Sequence, residues 1–323
     1  MSASTSLTNA LGNGLRKLVG KPAKTSAYGL FDVQLKAIIP LSPSLTRFVF
    51  SGEDVAHMHT LAADQRIKIF FPSADGHPPQ LPKQGSWQDA RRGLSAEHSP
   101  PMRTYTIRAL RREAQELDVD FVLHGVNGPA STWATQARIG ERLQIVAPNL
   151  AFDGDPGGYE WRAPKALQNL LLIGDETALP AIAGILEQLA RDLPHVAVQA
   201  FIEVPGEADC LELACSPATQ LNWLPRDVLH CAHGEAMIHA CRELAQLPPG
   251  TAGAGHDVKL EEVDIDRQIL WELAKPGSGD FYAWIAGESA AVMNIRRYLI
   301  TERGLERNAL TLMGYWRAGR TFD

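Results

Sequence analysis

Short apolar segments separated by turns make up the first half of the chain. Between Gly29 and Pro148 they predict six strands, at 31–39, 45–50, 67–71, 103–109, 116–123 and 143–147. The stretch from 72 to 101 is rich in glycine and proline and predicts a surface loop. Many short strands at close spacing are typical of a small antiparallel barrel.

The second half alternates between strand and helix patterns. Strands are predicted at 170–173, 196–203, 282–286 and 309–313, and helices at 178–192, 235–246 and 289–302. On the first helix, Leu179, Ile182, Ile185, Leu186 and Leu189 recur at helical spacing. This alternation predicts a parallel sheet with helices on its faces.

The length and punctuation of the chain predict two domains. At 323 residues it exceeds one typical domain, and glycines and prolines cluster at 149–164. We therefore expect an N-terminal extension at 1–26, a six-stranded barrel domain at 27–150, a linker at 151–166 and an α/β domain at 167–323.

Composition narrows the class of protein. A net charge of −6 argues against a nucleic-acid partner. No apolar run approaches the length that spans a bilayer, and the N-terminus has no apolar core of a secretory signal. We expect a cytoplasmic monomer with no membrane partner.

Four cysteines lie close together in the sequence, at Cys210, Cys215, Cys231 and Cys241. Three histidines share that segment, so a zinc or iron–sulfur site has to be considered. No Cys-x-x-Cys pair is present, and the spacings match no common metal template. Scattered thiols are the better interpretation, and we expect no metal site.

The most informative stretch is Arg103-Thr104-Tyr105-Thr106-Ile107-Arg108. On a regular strand, Arg103 and Tyr105 share one face, and Thr104 and Thr106 lie on the other. A guanidinium suits phosphate, a ring offers a stacking surface and a hydroxyl can reach a ring heteroatom. A flavin dinucleotide is a ligand that fits this combination.

A loop that turns into a helix follows at Gly128-Pro129-Ala130-Ser131-Thr132. We expect Ser131 to be the N-cap, with donors of Ser131 and Thr132 facing an anion. Taken alone, this pattern is equally typical of an ordinary capped helix.

A further motif is Leu171-Leu172-Ile173-Gly174-Asp175-Glu176-Thr177-Ala178-Leu179-Pro180. An apolar strand ends at Gly174 and a helix follows, which Thr177 could cap, so backbone N–H groups could bind a pyrophosphate. The Gly-x-Gly-x-x-Gly fingerprint is absent. Asp175 and Glu176 would repel a pyrophosphate unless their side chains point away or pair with a cation.

The order of these motifs resembles the ferredoxin–NADP reductase superfamily, in which a flavin barrel precedes a nicotinamide-binding α/β domain. The narrower resemblance is to the siderophore-interacting protein family, and it spans about residues 31–320. It rests on Arg-x-Tyr-Thr-x-Arg, Val122-Leu123-His124-Gly125, Gly128-Pro129-Ala130-Ser131, Gly-Asp-Glu-Thr-Ala-Leu-Pro-Ala, Trp284-Ile285-Ala286-Gly287-Glu288 and Gly314-Tyr315-Trp316-Arg317. This resemblance implies a cytoplasmic FAD-dependent reductase of ferric siderophores, with NADH or NADPH as co-substrate.

The resemblance also implies an FAD site. Arg103 would bind the pyrophosphate, Tyr105 would pack on the isoalloxazine, and Thr106 would hydrogen-bond near flavin N5. The other residues implied at this site are Thr104, His124, Gly128, Ala130, Ser131 and Thr132.

For the coenzyme and the substrate the resemblance is less specific. The residues implied at the NAD(P)H site are Gly174, Asp175, Thr177, Ala178, Glu203, Gly287 and Glu288. Glu203 closes a strand, where an acid often accepts ribose hydroxyls and favours NADH. Lys68 and Arg317 match basic positions of the family's pocket for a ferric siderophore or other ferric chelate, although each could be an ordinary surface cation.

Two other functions stay open. A flavodoxin or ferredoxin reductase would pass electrons to a small acidic protein, and the net negative charge gives it little support. A siderophore carrier with a vestigial flavin would bind the ferric complex without reducing it.

Overall fold

The computed structural model describes residues 25–320, except 124, 126–127, 250–262, 266 and 276–278. Its strands form two sheets, one from residues 28–148 and one from residues 169–316. The first sheet lies within the predicted barrel domain at 27–150 and the second within the predicted domain at 167–323, with the predicted linker at 151–166 between them. We propose these residues as the domain limits. Most of the predicted extension at 1–26 lies outside the described residues.

The first sheet is antiparallel and curls into a half-barrel. Its strands are β1 Tyr28–Pro40, β2 Leu45–Ser51, β3 Arg66–Phe70, β4 Met102–Thr106, β5 Ala109–Arg111, β6 Glu116–Val122 and β7 Arg142–Pro148. They are ordered β4-β3-β7-β1-β2-β6-β5. The expected barrel is confirmed, with seven strands rather than six.

The barrel is filled by side chains from alternate strand positions. Phe48, Phe50, Ile69 and Phe121 are almost completely buried, and each such side chain contributes about 1.5–3 kcal/mol relative to exposure. Trp133, from the helix described below, packs on Phe48 with ring centroids 5.2 Å apart. The buried strand residues lie on the strands that the sequence predicted at 45–50, 67–71 and 116–123.

The additional strand arises because the predicted strand at 103–109 breaks after Thr106. The Ile107 N–H donates to the Gln65 carbonyl at 2.8 Å, and the Arg108 N–H donates to the Asp118 carbonyl at 2.9 Å. Hydrogen bonding thus passes from the β3 side to β6, against which β5 then pairs. A switch of partner strand leaves no mark on local apolar alternation.

The second sheet has β8 Asn169–Gly174, β9 Ala197–Val204, β10 Thr219–Pro225, β11 Trp271–Glu272, β12 Phe281–Glu288 and β13 Leu310–Trp316. Their order is β10-β9-β8-β12-β13-β11. All are parallel except β11, which pairs antiparallel with β13. The first three strands extend the sheet from β8 to one side, and β12 and β13 extend it to the other. Ligands bind at such a switch point between β8 and β12, beyond the carboxyl ends of the strands.

Six helices accompany the sheets. They are α1 Trp87–Arg92, α2 Pro129–Gln136, α3 Leu179–Asp192, α4 Arg226–Leu229, α5 Glu235–His239 and α6 Ser289–Arg297 in the described residues. The last two continue into π-helical turns at Ala240–Leu244 and Tyr298–Glu302, and 3-10 turns occupy Glu53–His57, Glu207–Asp209 and Arg307–Ala309. None of the described helices is both long and apolar enough to cross a membrane.

Several short elements escape prediction because their side chains are mostly polar or half-exposed. The edge strand β10 buries only Leu224. Helix α1, inside the predicted loop at 72–101, buries no side chain. Neither element shows the periodic apolar face on which sequence prediction depends.

Polar contacts hold the two sheets against each other. Asp209, after β9, accepts hydrogen bonds from the Ser42 hydroxyl at 2.6 Å and the Ser44 N–H at 2.9 Å. The Arg108 guanidinium pairs with Glu187 of α3, one bond being 3.0 Å long. These contacts place the β1–β2 turn and the segment after β4 beside α3 and the end of β9.

Candidate functional site

Strand β4 places the predicted flavin residues at an edge of the first sheet. Thr104 is exposed, Arg103 and Tyr105 are half-buried, and Thr106 is buried. The Arg103 guanidinium donates to the Met102 carbonyl at 2.7 Å, which directs it along the strand. Strand β4 pairs in regular register with β3 up to Thr106, so Arg103 and Tyr105 lie on one face of the sheet and Thr104 and Thr106 on the other.

The Tyr105 ring is fixed by other aromatic rings. It stacks on Phe121 with centroids 4.1 Å apart and planes 26° apart, and it meets Phe71 edge-on at 6.4 Å. Burial raises the pKa of Tyr105 well above its usual range, so the phenol is neutral at physiological pH. One ring face is packed, and the half-exposed remainder offers a rigid platform for a flat ligand.

Helix α2 begins earlier than the sequence suggested. Its N-cap is Gly128, with φ of 112°, and Pro129 occupies the first helical position, where proline is favoured. The prediction that Ser131 is the N-cap is therefore wrong. The Thr132 hydroxyl donates to the Gly128 carbonyl at 2.8 Å, so it is used inside the helix rather than aimed at an anion.

The start of α2 nonetheless suits a phosphate. The Ala130 and Ser131 N–H groups belong to the first turn, which has no acceptors within the helix. A Cβ at Gly128 would find open space, with nothing within 4 Å. Together with the Arg103 guanidinium, this donor set fits the pyrophosphate of FAD, and the Tyr105 platform fits its ring. His124, also predicted here, lies outside the described residues.

Lys68 projects from β3 into a positively charged neighbourhood. It is exposed and lies opposite Thr104 of β4. Burial of part of the side chain, together with the charges of Arg66 and Arg91, lowers the pKa of Lys68. Arg66 is paired with Glu160 at 2.8 Å, and the remaining positive charge of Lys68 and Arg91 favours an anionic ligand at this place.

At the other end of the site, Gly174 ends β8 in close packing. A Cβ there would lie 2.7 Å from the Ala178 Cβ, 2.8 Å from the Ile182 Cδ1 and 3.2 Å from the Ala286 carbonyl oxygen. The resemblance implies Gly174 at the NAD(P)H site. In the structure its missing side chain lets α3 pack closely against the sheet.

Asp175 is fully buried and points away from solvent. One carboxylate oxygen accepts the Thr177 N–H at 2.9 Å and the Thr177 hydroxyl at 2.5 Å. The other accepts the Glu288 N–H and the Trp316 indole N–H, both at 2.9 Å. Burial and the charge of Glu176 raise the pKa of Asp175. Asp175 thus ties together the ends of β8, β12 and β13.

These bonds change the expected roles of two neighbours. Thr177 does not cap α3, because its hydroxyl and N–H both go to Asp175. Ala178 is the N-cap, is fully buried and donates its N–H to the Asp175 carbonyl at 3.0 Å. The free first-turn amides are then those of Leu179 and Ala181.

Glu176 is neutralised by two partners that the sequence interpretation did not identify. Arg226 of α4 donates to both of its carboxylate oxygens at 2.9 Å, and the His233 Nε2 lies 3.3 Å from one of them. Burial opposes the charge, yet the hydrogen bonds from His233 and Arg226 lower the pKa of Glu176 to about 2. The predicted repulsion of a pyrophosphate is therefore cancelled.

Glu203 does not lie where a coenzyme could reach it. Its side chain is completely buried at the end of β9. It accepts hydrogen bonds from the Gly234 N–H at 2.7 Å, the Met237 N–H at 3.1 Å and Arg226 at 3.1 Å. The expectation that Glu203 binds ribose hydroxyls is wrong, because this carboxylate holds the start of α5 instead.

The ends of β12 and β13 lie at the carboxyl edge of the second sheet, the edge at which its parallel strands end. Gly287 has φ of 152°, and a Cβ there would lie 2.7 Å from an Asp175 carboxylate oxygen. Glu288 caps α6 through the Ala290 and Ala291 N–H groups, and its other oxygen accepts the Arg317 guanidinium at 2.9 Å. Arg317 therefore belongs to the carboxyl edge of the second sheet, whereas Lys68 belongs to the barrel.

The residues missed by the sequence interpretation are Arg226, His233 and Trp316. The His233 and Trp316 rings meet edge-on with centroids 4.8 Å apart. Arg226 carried one available signal, since it is the only lysine or arginine between Arg191 and Arg242. Its partners are 50 and 23 positions away, so local pattern could not name them.

Comparison with protein families accounts for most of the chain. Residues 34–152 match the siderophore-interacting FAD-binding domain, and residues 167–319 match the siderophore-interacting protein family. An uncharacterised protein of Mycobacterium tuberculosis is 32% identical over 87% of this chain and 88% of its own length.

Two relatives carry functional names. The ferric vibriobactin reductase of Vibrio cholerae is 26% identical over 87% of this chain and 86% of its own length. The NADPH-dependent ferric-chelate reductase of Escherichia coli is 26% identical over 86% and 89%. Among solved structures, a siderophore utilization protein from T. fusca superposes with a TM-score of 0.68 and 25% identity, covering 92% of this chain and 96% of that one.

Proposed function

The chain belongs to the siderophore-interacting protein family, and on this premise we propose that it reduces ferric siderophores with electrons from NADH or NADPH through bound FAD. The FAD-binding domain of the family covers the barrel. The names of the Vibrio and Escherichia relatives support the reaction class and a nicotinamide coenzyme. The proposal extends to a monomeric cytoplasmic protein, which gel filtration and cell fractionation would check.

The observation that carries the proposal is the donor set between β4 and α2. Arg103 and the first-turn amides of Ala130 and Ser131 would neutralise a pyrophosphate, while Tyr105 would support a flat ring on a face held by Phe121. FAD held by these residues would supply the redox chemistry, which couples a two-electron hydride donor to a one-electron acceptor. The protein's part is to bind, orient and exclude water around it.

The carboxyl edge of the second sheet would receive the coenzyme. Asp175 and Glu176 present little net charge there, because their oxygens are occupied by protein donors. Trp316 ends β13, and its indole N–H donates to Asp175, which follows β8. We propose that its half-buried ring orients the nicotinamide end, next to the barrel.

Lys68, with Arg66 and Arg91 nearby, would attract the substrate. Many ferric siderophores are anionic. Partial burial and the charges of Arg66 and Arg91 lower the pKa of Lys68, and an anionic ligand would stabilise its charged form. Hard oxygen ligands bind iron(II) far less tightly than iron(III), so reduction releases the metal. Two iron(III) ions would be reduced for each hydride consumed, which balances the electrons.

The test is production of iron(II) from a ferric siderophore, trapped by a ferrous-specific chelator under anaerobic conditions. We expect coloured ferrous complex to form only when protein, FAD and a reduced nicotinamide coenzyme are all present. A carrier would bind the ferric complex and yield no iron(II). Reduction that required an added flavodoxin or ferredoxin would favour the electron-transfer reductase instead.

A further inference from the structure

The charges at the carboxyl edge bear on which nicotinamide coenzyme the protein uses. NADPH differs from NADH by one phosphate on the adenosine ribose, with a charge of about −1.5 to −2 at neutral pH. In parallel sheets of this kind, an arginine near the end of the second strand accommodates that phosphate. The relevant strand ends here are those of β9 and β10.

Few cations are available there. Between Arg191 and Arg242, the only lysine or arginine is Arg226, whereas six acidic residues follow Asp192 in that span: Glu203, Glu207, Asp209, Glu212, Asp227 and Glu235. A 2′-phosphate at these strand ends would therefore depend on Arg226.

Arg226 is already committed to two carboxylates. It makes two bonds of 2.9 Å to Glu176 and one of 3.1 Å to Glu203, and His233 lies 3.3 Å from the same Glu176 carboxylate. Its side chain is only 14% exposed. Glu203 is fixed by the backbone N–H groups at the start of α5. Glu176 is the partner that accepts hydrogen bonds from both terminal nitrogens of Arg226.

We propose that Glu176 makes this protein select NADH over NADPH by holding Arg226 in a bidentate pair, so that this arginine is not available to bind a 2′-phosphate. Glu176 acts through Arg226 and is a positioning residue for coenzyme choice. This inference rests on the proposed use of a nicotinamide coenzyme, and it replaces the earlier basis for NADH preference, the buried Glu203.

The experiment is a calorimetric titration of the oxidised, FAD-loaded protein with NAD⁺ and with NADP⁺. The two ligands differ only in the 2′-phosphate, and neither can deliver a hydride to oxidised FAD, so the titration measures binding alone. We expect the wild-type protein to bind NAD⁺ at least tenfold more tightly than NADP⁺. In Glu176→Gln, this preference should shrink at least fivefold, because Arg226 is left with one carboxylate.

Glu302→Gln is the matched control. Glu302 forms a similar bidentate pair with Arg242, at 2.7 and 2.9 Å, at the far end of the helical segment that begins with α6. Its removal should leave the NAD⁺/NADP⁺ ratio unchanged. A general loss of protein stability would weaken the binding of NAD⁺ and NADP⁺ alike and would not change the ratio of their dissociation constants.

Equal or tighter binding of NADP⁺ by the wild-type protein would overturn the inference, and this comparison needs no variant. An unchanged ratio in a folded Glu176→Gln protein would also overturn it, while leaving the proposed reductase standing. If the wild-type protein bound neither coenzyme, the proposed nicotinamide-dependent reaction itself would fail, and the inference with it.

Discussion

Replacing Gly174 by alanine is expected to destabilise the second sheet rather than to block a ligand. The new Cβ would lie 2.7 Å from the Ala178 Cβ and 2.8 Å from the Ile182 Cδ1, both shorter than real Cβ atoms tolerate. The Ala286 carbonyl oxygen, 3.2 Å away on β12, closes the remaining side. All three neighbours are completely buried, so relief requires α3 to move away from β8.

The size of the effect follows from the packing. Overfilling a well-packed core by one methyl group costs about 1–3 kcal/mol. For a domain of this size, each kcal/mol lowers the melting temperature by about 2–4 °C, so Gly174→Ala should melt about 2–12 °C below the wild-type protein. Urea unfolding should give a matching decrease in the free energy of unfolding.

Gly93→Ala serves as the control. Gly93 follows α1 with φ of −77°, and a Cβ there would make ordinary contacts at 3.5 and 3.6 Å. We expect a change within about 0.5 kcal/mol, or a slight gain from the stiffer unfolded chain. A Gly174→Ala protein as stable as this control would refute the packing argument.

Three further predictions concern the ligands and pH. Arg103→Ala should purify largely without flavin while staying folded, because a charged hydrogen bond to the pyrophosphate contributes about 1.5–3 kcal/mol. The ratio of flavin to protein absorbance measures the flavin content, and full occupancy in this variant would contradict the assignment. Lys68→Ala should raise the apparent KM severalfold for an anionic ferric chelate and less for a neutral one, and should leave flavin reduction unaffected. The control Lys165→Ala should leave the KM for both chelates unchanged. If Lys68→Ala and the wild-type protein had equal kinetics on both chelates, Lys68 would be an ordinary surface cation. Burial lowers the pKa of His233, but the hydrogen bond to Glu176 and the nearby carboxylate charges outweigh it, so the pKa is raised. The charged ring therefore stabilises the fold fully below its ordinary pKa of about 6.5. This stabilisation is lost as the pH rises through the higher pKa of the folded state. The stability gap between wild type and His233→Gln should therefore be wider at pH 6 than at pH 9 in urea titrations, and a gap independent of pH would rule out this charge effect.

The barrel and the parallel sheet could be predicted because their strands and main helices show regular apolar periodicity. The face of the strand that Tyr105 shares with Arg103 could be predicted too, since strand alternation is a local property. The start of α2 could not be placed at Ser131, because Pro129 at the first helical position outweighed the capping preference of serine.

The polar contacts of the second sheet could not be derived from the sequence. Glu176, Arg226 and Glu203 are brought together by three different strand ends, and their pairing depends on the sheet order. The same holds for Asp175, whose partner Trp316 is 141 positions away. A sequence shows that such residues follow strands, but which of them meet is decided by tertiary packing.

The most direct test of the reductase is a pair of anaerobic half-reactions followed at the flavin absorbance band near 450 nm. NADH should bleach the band of the purified protein, and a ferric siderophore added afterwards should restore it, with about two iron(III) ions consumed per flavin. Bleaching without reoxidation by the ferric siderophore, or failure of both NADH and NADPH to bleach the flavin, would contradict the account.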